Sequence, residues 1–455
     1  MKIKLMIAAV IACLVFTGFT KENVSDTVDH NAWKTSGVVV IQNAGSNARA
    51  LLNDGKGYTN FELDMDVRTT TGGKGYIGIH TDATDRKGYR IALNNDREDP
   101  VWWRMTGSLV SVRNLTKSFV KENEWFKMNI RVEGRLVRVR INGETVVEYI
   151  EPSKPFRLKE NAKALLSQGT ISLVGTGRGN LQFKNISLEA FSAKGIDIPA
   201  QWANAVDEQT DEIIRLHQED FPVLDYHVHL KGGLTKEVAA RQSRQTGVNY
   251  GLAINCGIGF SITNDTELYN YLDTMRTQPF ILAMQAEGRE WVTTFSEAAR
   301  NSFDYVFTDA MTFLDHKGRR THLWVNKEVI IDDEQAYMDM MLDRICSVLE
   351  EPVDMYVNSC FLPDAMSDRY DMFWTEERID RFVNALAKSG KALEINELYH
   401  IPNKAIIQKA KAAGVKFTFG SNNITPEVGT LDYCIRMKKE CGLTAQDMYK
   451  PHINI

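Results

Sequence analysis

The hydrophobic pattern changes about halfway along the chain, and this change constrains the fold more than any other feature of the sequence. Before residue 191, short runs such as 61–68 and 126–132 alternate between apolar and polar residues, which is the period-2 pattern of half-buried strands. After Pro222, short apolar runs alternate with longer segments of helical periodicity. Because 455 residues exceed one ordinary core, we predict two domains of different class.

The first half is rich in strand and turn signals. The run at 136–141 turns at Asn142-Gly143 into a second run, which is a typical hairpin signal, and further runs at 170–174 and 181–188 close the set. Many short strands with Gly-rich turns predict an all-β jelly-roll sandwich over residues 26–192.

Aromatic side chains of this half suggest a sugar-binding face, because aromatic rings stack on pyranose rings. The residues that could form such a concave face are His80, Tyr89, Trp102, Trp103 and Arg104. The alternative is that Trp102 and Trp103 fill the core of the sandwich.

Several motifs of this half point to one family. They are Tyr58-x-x-Phe61-Glu62-Leu63, Gly75-Tyr76-Ile77-Gly78-Ile79, Thr106-Gly107-Ser108, Glu124-Trp125, Ile141-Asn142-Gly143, Gly169-Thr170-Ile171 and Phe183-Lys184-Asn185-Ile186. On these motifs, residues 57–191 resemble the concanavalin-like jelly roll of the 3-keto-disaccharide hydrolase family. The polar signature of that family is replaced, with Arg90 and Ala92 standing where a Glu and a Gln are usual. By analogy of fold, the resemblance implies glycan binding for this domain.

The second half alternates strands with helices. The strand at 222–230 is followed by apolar runs at 250–255, 280–285, 305–307, 354–357, 392–395 and 416–419. Helical segments lie between them at 235–246, 265–276, 334–350, 376–389 and 404–413. Seven strands alternating with helices predict a TIM-like α/β barrel over residues 221–455, after a linker and helix at 193–220.

Polar residues follow the strands of the predicted barrel, where catalytic groups of such barrels lie. Period-2 geometry places His227 and His229 on the same side of the first strand end. The residues at the later strand ends are Asn255, Cys256, Glu287, Asp309, Asn358, Glu394, Asn396, Asn422 and Asn423. We expect these side chains to converge on one rim.

Four motifs of this half carry a second resemblance. They are Asp225-Tyr226-His227-Val228-His229, Ala286-Glu287-Gly288, Leu393-Glu394-Ile395-Asn396 and Gly420-Ser421-Asn422-Asn423. They make residues 221–455 similar to the PHP phosphoesterase-like domain of the amidohydrolase-type metal barrels. The chain has Cys256, Asp309, Asn358 and Asn422-Asn423 where that family places further metal ligands.

The resemblance and the types of ligand together imply a metal site with fewer ligands than is usual in that family. One divalent transition metal (Zn²⁺, Mn²⁺ or Fe²⁺) would be bound by His227, His229, Glu287 and Asn422. Asp309 and Asn358 could support a weaker second ion.

The remaining polar residues of the rim are assigned to catalysis or to substrate. Asp309 or Glu394 could serve as general base. The predicted substrate-binding residues are Asn255, Arg289, Arg320, His322, Asn358, Asn396, Tyr399 and His400. Arginines suit a phosphate or carboxylate group, and aromatic residues suit a sugar ring.

The N-terminus predicts export. Residues 1–22 have a basic start and an apolar run, as in a secretory signal, and a periplasmic or secreted location follows. The apolar run is short for a membrane span, and a lipid anchor at Cys13 is the alternative. A net charge of −5 without a polybasic block argues against a nucleic-acid partner.

Three functions remain open. The first is an exported, metal-dependent hydrolase or lyase that acts on a carbohydrate, with a catalytic barrel and a glycan-binding jelly roll. The second is a phosphoesterase that acts on a phosphorylated sugar. The third is a non-catalytic carbohydrate-binding protein whose barrel has lost its activity.

Overall fold

The computed structural model describes residues 32–35, 37–42, 48–82, 87–192, 207–315 and 317–454. In the N-terminal half, these residues form two packed sheets. The strands are β1 (Ala32–Thr35), β2 (Val39–Gln42), β3 (Ala48–Leu51), β4 (Phe61–Thr69), β5 (Lys74–Thr81), β6 (Tyr89–Asn94), β7 (Phe126–Glu133), β8 (Leu136–Ile141), β9 (Glu144–Ile150), β10 (Thr170–Gly175) and β11 (Asn180–Ala190).

The two sheets share one apolar core. The larger sheet has the order β1-β11-β4-β7-β8-β9, with β2 also paired to β11, and the smaller has the order β3-β10-β5-β6. Phe61 and Leu63 of β4 face the core while Glu62 and Asp64 do not, as the alternating sequence predicts. Positive φ angles at Asn142 and Gly143 allow the tight turn between β8 and β9. The predicted jelly-roll-like sandwich is confirmed.

The C-terminal half contains a closed barrel of seven parallel strands, as predicted. Its strands are β12 (Leu224–Val228), β13 (Asn249–Cys256), β14 (Ile281–Ala286), β15 (Tyr305–Thr308), β18 (Met355–Tyr356), β19 (Ala392–Asn396) and β20 (Phe417–Gly420). A short hairpin, β16 (Thr312–Leu314) and β17 (Arg320–His322), follows β15.

Helices connect the barrel strands. They are α1 (Glu212–Gln218), α2 (Lys236–Thr246), α3 (Asp265–Met275), α4 (Trp291–Thr294), α5 (Glu297–Arg300), α6 (Glu334–Val348), α7 (Asp364–Ser367), α8 (Tyr370–Phe373), α9 (Glu376–Ser389), α10 (Lys404–Ala412) and α11 (Asp432–Cys441). Side chains of Thr235, Asn264, Asp333, Thr375 and Asn403 cap the N-termini of the longer predicted helices. Among the described residues, no helix is long and apolar enough to cross a bilayer.

The jelly roll closes the amino end of the barrel with two tryptophans. Trp102 and Trp103 are buried against inward-facing residues of the barrel strands, including Leu224, Tyr226 and Ile281. Trp103 also donates a hydrogen bond from Nε1 to Asp220. The expectation that they fill the sandwich core is wrong, because they pack against barrel residues instead. Both also line a cavity of about 770 Å³, and their part in sugar binding stays a prediction.

The other residues of the expected sugar-binding face are also engaged. His80 is buried between Thr59 O and the Ser167 N–H, and burial lowers its pKa to about 4. Tyr89 is fully buried and donates a hydrogen bond to Glu151. Arg104 forms an ion pair with Asp220.

Hydrogen bonds join the two domains around the tryptophans. The buried Lys117 donates to Phe280 O at 2.8 Å and lies 3.5 Å from Asp304 of the barrel. Arg113 donates to Gln245 O, and Asn249 donates to Asn114 O. The interface between the two domains therefore combines apolar packing with hydrogen bonds.

Some of the predictions concern residues outside the description. The signal segment 1–22, Cys13 and residues 193–206 of the predicted linker and helix lie outside the described residues. The five described cysteines are free thiols, and four of them are buried.

Candidate functional site

An irregularity in β12 directs two histidines into the barrel mouth. The strand begins with Leu224 and Tyr226 facing inward, and the pairing with β13 shifts register between Asp225 and Val228. A bulge of this kind re-aims the side chains that follow it. His227 and His229 both point inward as a result, with ring centroids 5.0 Å apart.

Glu394 orients His227 from the sixth barrel strand. Nδ1 of His227 donates to Glu394 Oε1 at 2.6 Å, and both side chains are fully buried. The other oxygen, Oε2, accepts the Asn358 N–H and the Asn396 side-chain amide. Since both oxygens are engaged, the geometry favours Glu394 as a group that positions His227 over the predicted role of general base.

Gly420 makes this arrangement possible. A Cβ atom at position 420 would lie 2.2 Å from Glu394 Oε1 and 2.8 Å from His227 Cβ. Only glycine lets β20 approach the pair so closely. The glycine of the Gly420-Ser421-Asn422-Asn423 motif therefore has a packing role.

Gln285 lies beside His227. Its Oε1 is 3.2 Å from His227 Nε2. His229 donates from Nδ1 to Ala253 O at 3.0 Å. Burial lowers the pKa of His229 well below its usual range, and the hydrogen bonds only partly oppose this shift.

Glu287 and Asp309 are two buried carboxyl groups at the mouth. Glu287 Oε1 accepts from Asn255 Nδ2 at 2.7 Å, whereas Oε2 is buried without a hydrogen-bond partner among the described residues. Asp309 accepts from the Met311 N–H and from Asn358 Nδ2. Burial raises the pKa of both groups, and the Asp309 charge raises that of Glu287 further.

Asparagines link Asp309 and Glu394 into one hydrogen-bond network. Oδ1 of Asn358 accepts from Asn396 and Asn422, while its Nδ2 donates to Asp309. Asn423 instead bridges the backbone of His229 and Thr425. Asn358 thus donates to a carboxyl group, whereas Asn422 donates to the amide oxygen of Asn358 and Asn423 donates to backbone oxygens.

The structure brings most of the predicted residues together. The set at the mouth consists of His227, His229, Asn255, Glu287, Asp309, Asn358, Glu394, Asn396 and Asn422. Tyr399 adjoins it, because its N–H donates to Asn396 Oδ1.

Four predicted substrate-binding residues are engaged elsewhere. Arg289 pairs with Glu351 and donates to Asp309 O, and Arg320 pairs with Glu290. His322 is hydrogen-bonded to Glu328 on the hairpin side. His400 stacks on Tyr433 with ring centroids 5.0 Å apart. These contacts are structural ones, and the proposed contacts with substrate stay predictions.

Each predicted metal ligand has one atom engaged by a protein group. These atoms are Nδ1 of His227, Nδ1 of His229, Oε1 of Glu287 and the amide nitrogen of Asn422, which donates to Asn358. Among the residues described, no group of three or more His, Cys, Asp or Glu side chains could hold a metal ion. The divalent ion stays a prediction that this geometry does not favour.

Two residues of the site were not predicted. Gln285 shares the inward phase of β14 with Ile281 and Ala283, so a lone polar residue in that phase was the available signal. Lys231 lies close enough to Glu287 for its charge to lower the pKa of that carboxyl group. Its signal was a cation two residues after the His-x-His motif.

Comparisons with known proteins bear on the N-terminal half. Residues 16–189 match the family described as a 3-keto-alpha-glucoside-1,2-lyase-like domain. The match spans less than half of the chain and leaves the barrel unassigned. No curated protein matches the chain.

Solved structures show a distant likeness. Two proposed glycosyl hydrolases from Parabacteroides distasonis have 18% and 22% identity and TM-scores of 0.30 and 0.29. The alignments cover 34% and 36% of this chain and 81% and 94% of theirs. A carbohydrate-binding module from Bacillus subtilis has 11% identity and a TM-score of 0.25, with 35% of this chain and 96% of the module covered. Likeness at this level carries no information on chemistry.

Proposed function

We propose that the protein is a carbohydrate-active enzyme that breaks a glycosidic bond by acid–base chemistry at the mouth of its barrel. The observation that carries this proposal is the buried Glu287 Oε2, which has no hydrogen-bond partner among the described residues while Oε1 is held by Asn255. A buried polar atom left unpaired is costly, and such atoms are typical of sites that await a ligand.

The two carboxyl groups of the mouth would divide the proton transfers. Glu287, with one oxygen free, would donate a proton to the leaving-group oxygen of the sugar. Asp309, held by Met311 and Asn358, would accept a proton from the attacking water or from the sugar carbon next to a keto group. In this scheme the Glu394–His227 pair positions the reacting groups.

The surroundings support a sugar over a phosphorylated substrate. The family match of residues 16–189 is to a domain named for a keto-glucoside lyase. Arg289, Arg319 and Arg320 are paired with Glu351, Asp315 and Glu290, so their charges are already balanced. A phosphoesterase would need such cations for its substrate. Export also stays part of the proposal, supported by the signal-like N-terminus.

The test is a comparison of substrates and variants. The full chain without its signal segment is assayed on 3-keto-glucosides, unmodified glycosides and an aryl phosphate. We expect glycoside cleavage, with kcat lowered at least about 100-fold in Glu287→Gln and Asp309→Asn. Glu290→Gln is the matched control, since that carboxylate pairs with Arg320 beside the mouth. Cleavage of the phosphate alone, or full glycosidase activity in both variants, would contradict the proposal.

A further inference from the structure

We infer that a cavity beside the barrel mouth binds the carboxylate of an acidic sugar, with Arg344 as the cation that receives it. The cavity has a volume of about 290 Å³, and its wall includes Arg289, Glu290, Phe313, Leu314, Arg320 and Arg344. The inference rests on the proposed function, because it names the class of sugar that the same mouth would take, a glycoside of a uronic acid.

The cavity adjoins the mouth through the segment that follows Glu287. Gly288, the next residue along the chain, lines the cavity. Arg289 lines it as well, and its Nη2 donates to Thr308 Oγ1 at 3.0 Å and to Asp309 O at 2.9 Å. A sugar bound at the two carboxyl groups of the mouth therefore has this cavity directly beside it.

The charges at the cavity do not balance. Arg289 pairs with Glu351 at 2.7 Å, and Arg320 pairs with Glu290 at the same distance. The third arginine, Arg344 of α6, has no ion pair among the described residues. Three cations thus face two carboxylates, so the cavity has one positive charge in excess.

Arg344 is held in place by contacts that leave its charge unpaired. Its Nη2 donates to Leu314 O at 2.8 Å, and its guanidinium carbon lies 4.4 Å from the centre of the Phe313 ring. Asp315 is near enough to attract it, but that carboxylate is bound by Arg319. The guanidinium is therefore positioned in advance for an anion, which lowers the entropy cost of binding one.

A single carboxylate fits this wall better than a phosphate group does. A carboxylate has one negative charge, which equals the excess, and its two oxygens match the planar guanidinium. A phosphate group carries up to two charges near neutral pH, and the second would be repelled by Glu290 in the same wall. Phe313 and the half-exposed Leu314 give the cavity an apolar side that suits the CH groups of a sugar ring.

The experiment measures equilibrium binding and not cleavage. The full chain without its signal segment is titrated by calorimetry with methyl glucuronoside and, separately, with methyl glucoside. We expect wild type to bind the glucuronoside at least about 10-fold more tightly, and Arg344→Gln to bind the two sugars equally. Arg381→Gln is the matched control, because Arg381 pairs with Asp343 on the exposed surface and its loss should leave the preference unchanged.

Several results would overturn the inference. They are binding of neither sugar, equal affinity of wild type for both sugars, an undiminished preference in Arg344→Gln, and tighter binding of glucose 6-sulfate than of the glucuronoside.

A second measurement covers a variant that does not fold. If circular dichroism shows that Arg344→Gln is unfolded, the preference of wild type is measured again at about 0.5 M NaCl, where screening should lower it several-fold. An unchanged preference would overturn the inference. Glycoside cleavage without the preference would overturn this inference alone, whereas glucuronoside binding without cleavage of any glycoside would overturn only the proposed function.

Discussion

The two ends of the barrel differ in polarity: one is lined by apolar side chains and the other by polar ones. At the amino end, Trp102 and Trp103 of the jelly roll meet an apolar layer that includes Tyr226, Tyr305 and Met355. At the carboxyl end, carboxyl, imidazole and amide groups fill the interior. Burial of apolar groups stabilises the amino end. The carboxyl end has buried carboxyl groups and, among the described residues, a Glu287 oxygen without a hydrogen-bond partner, and both features oppose stability. Stability and chemistry are thus assigned to different ends of one barrel.

The largest effect should come from opening the apolar end. Trp103→Ala removes a buried indole and its hydrogen bond to Asp220, and we expect the free energy of unfolding to fall by about 3–5 kcal/mol. Urea unfolding followed by circular dichroism measures the change. Trp324→Ala is the control, because Trp324 is 44% exposed and its loss should cost less than about 1 kcal/mol. Equal losses of unfolding free energy in the two variants would show that the apolar end does not contribute the stability expected of it.

A second effect at the same end should depend on pH. His217 of α1 is fully buried and donates from Nε2 to Gly247 O; burial, with a further contribution from the Arg113 charge, lowers its pKa to about 3. In the unfolded chain His217 binds a proton below about pH 6.5, whereas in the folded chain it stays neutral until the pH is far lower. The free energy of unfolding therefore falls as the pH drops below that value. We expect a loss of about 2 kcal/mol between pH 8 and pH 5 from this residue alone.

The variant His217→Gln isolates that contribution. Its amide can still donate to Gly247 O but does not titrate. Urea midpoints at the two pH values give the loss for each protein. The same loss in variant and wild type would show that another group causes the acid sensitivity.

The smallest effect on stability should come from the polar end. Glu287→Gln keeps the oxygen that accepts from Asn255 and removes a carboxyl group that lies beside Asp309. We expect a change in unfolding free energy of less than about 1 kcal/mol, in either direction, although activity should be lost. Thermal unfolding checks this, and a loss as large as that of Trp103→Ala would remove the contrast between the ends.

The periodicity of the sequence predicted most of the architecture. Strands of the sandwich, the barrel and the long helices follow from local alternation, and β4 and α9 lie within one residue of their predicted bounds. The pairing of His227 with His229 followed from the same rule. Periodicity does not predict which distant segments of the chain contact each other. The place of Trp102 and Trp103 depends on how one domain meets another, so two buried tryptophans were equally compatible with a sandwich core.

The sequence predicted which residues lie at the barrel mouth better than it predicted how they interact. Residue types at strand ends identified Glu287, Asp309 and Glu394, since parallel strands end at one rim. Whether a group binds metal or a neighbouring amide depends on distances of a few tenths of an ångström, which sequence spacing does not determine. Gln285 illustrates this point, because its place in the strand predicts that it faces inward but not that its amide oxygen lies 3.2 Å from His227 Nε2.

The tryptophan contact has a consequence for the order of events during synthesis. The jelly roll leaves the ribosome first, yet the surface that covers Trp102 and Trp103 comes from strands that begin more than a hundred residues later and extend to β19. During that interval the segment between β6 and β7 exposes both indole rings to solvent. Exposed apolar surface of this kind promotes aggregation. We therefore expect Trp102 and Trp103 to stay exposed until strands from the second half of the chain have been made and have folded against them.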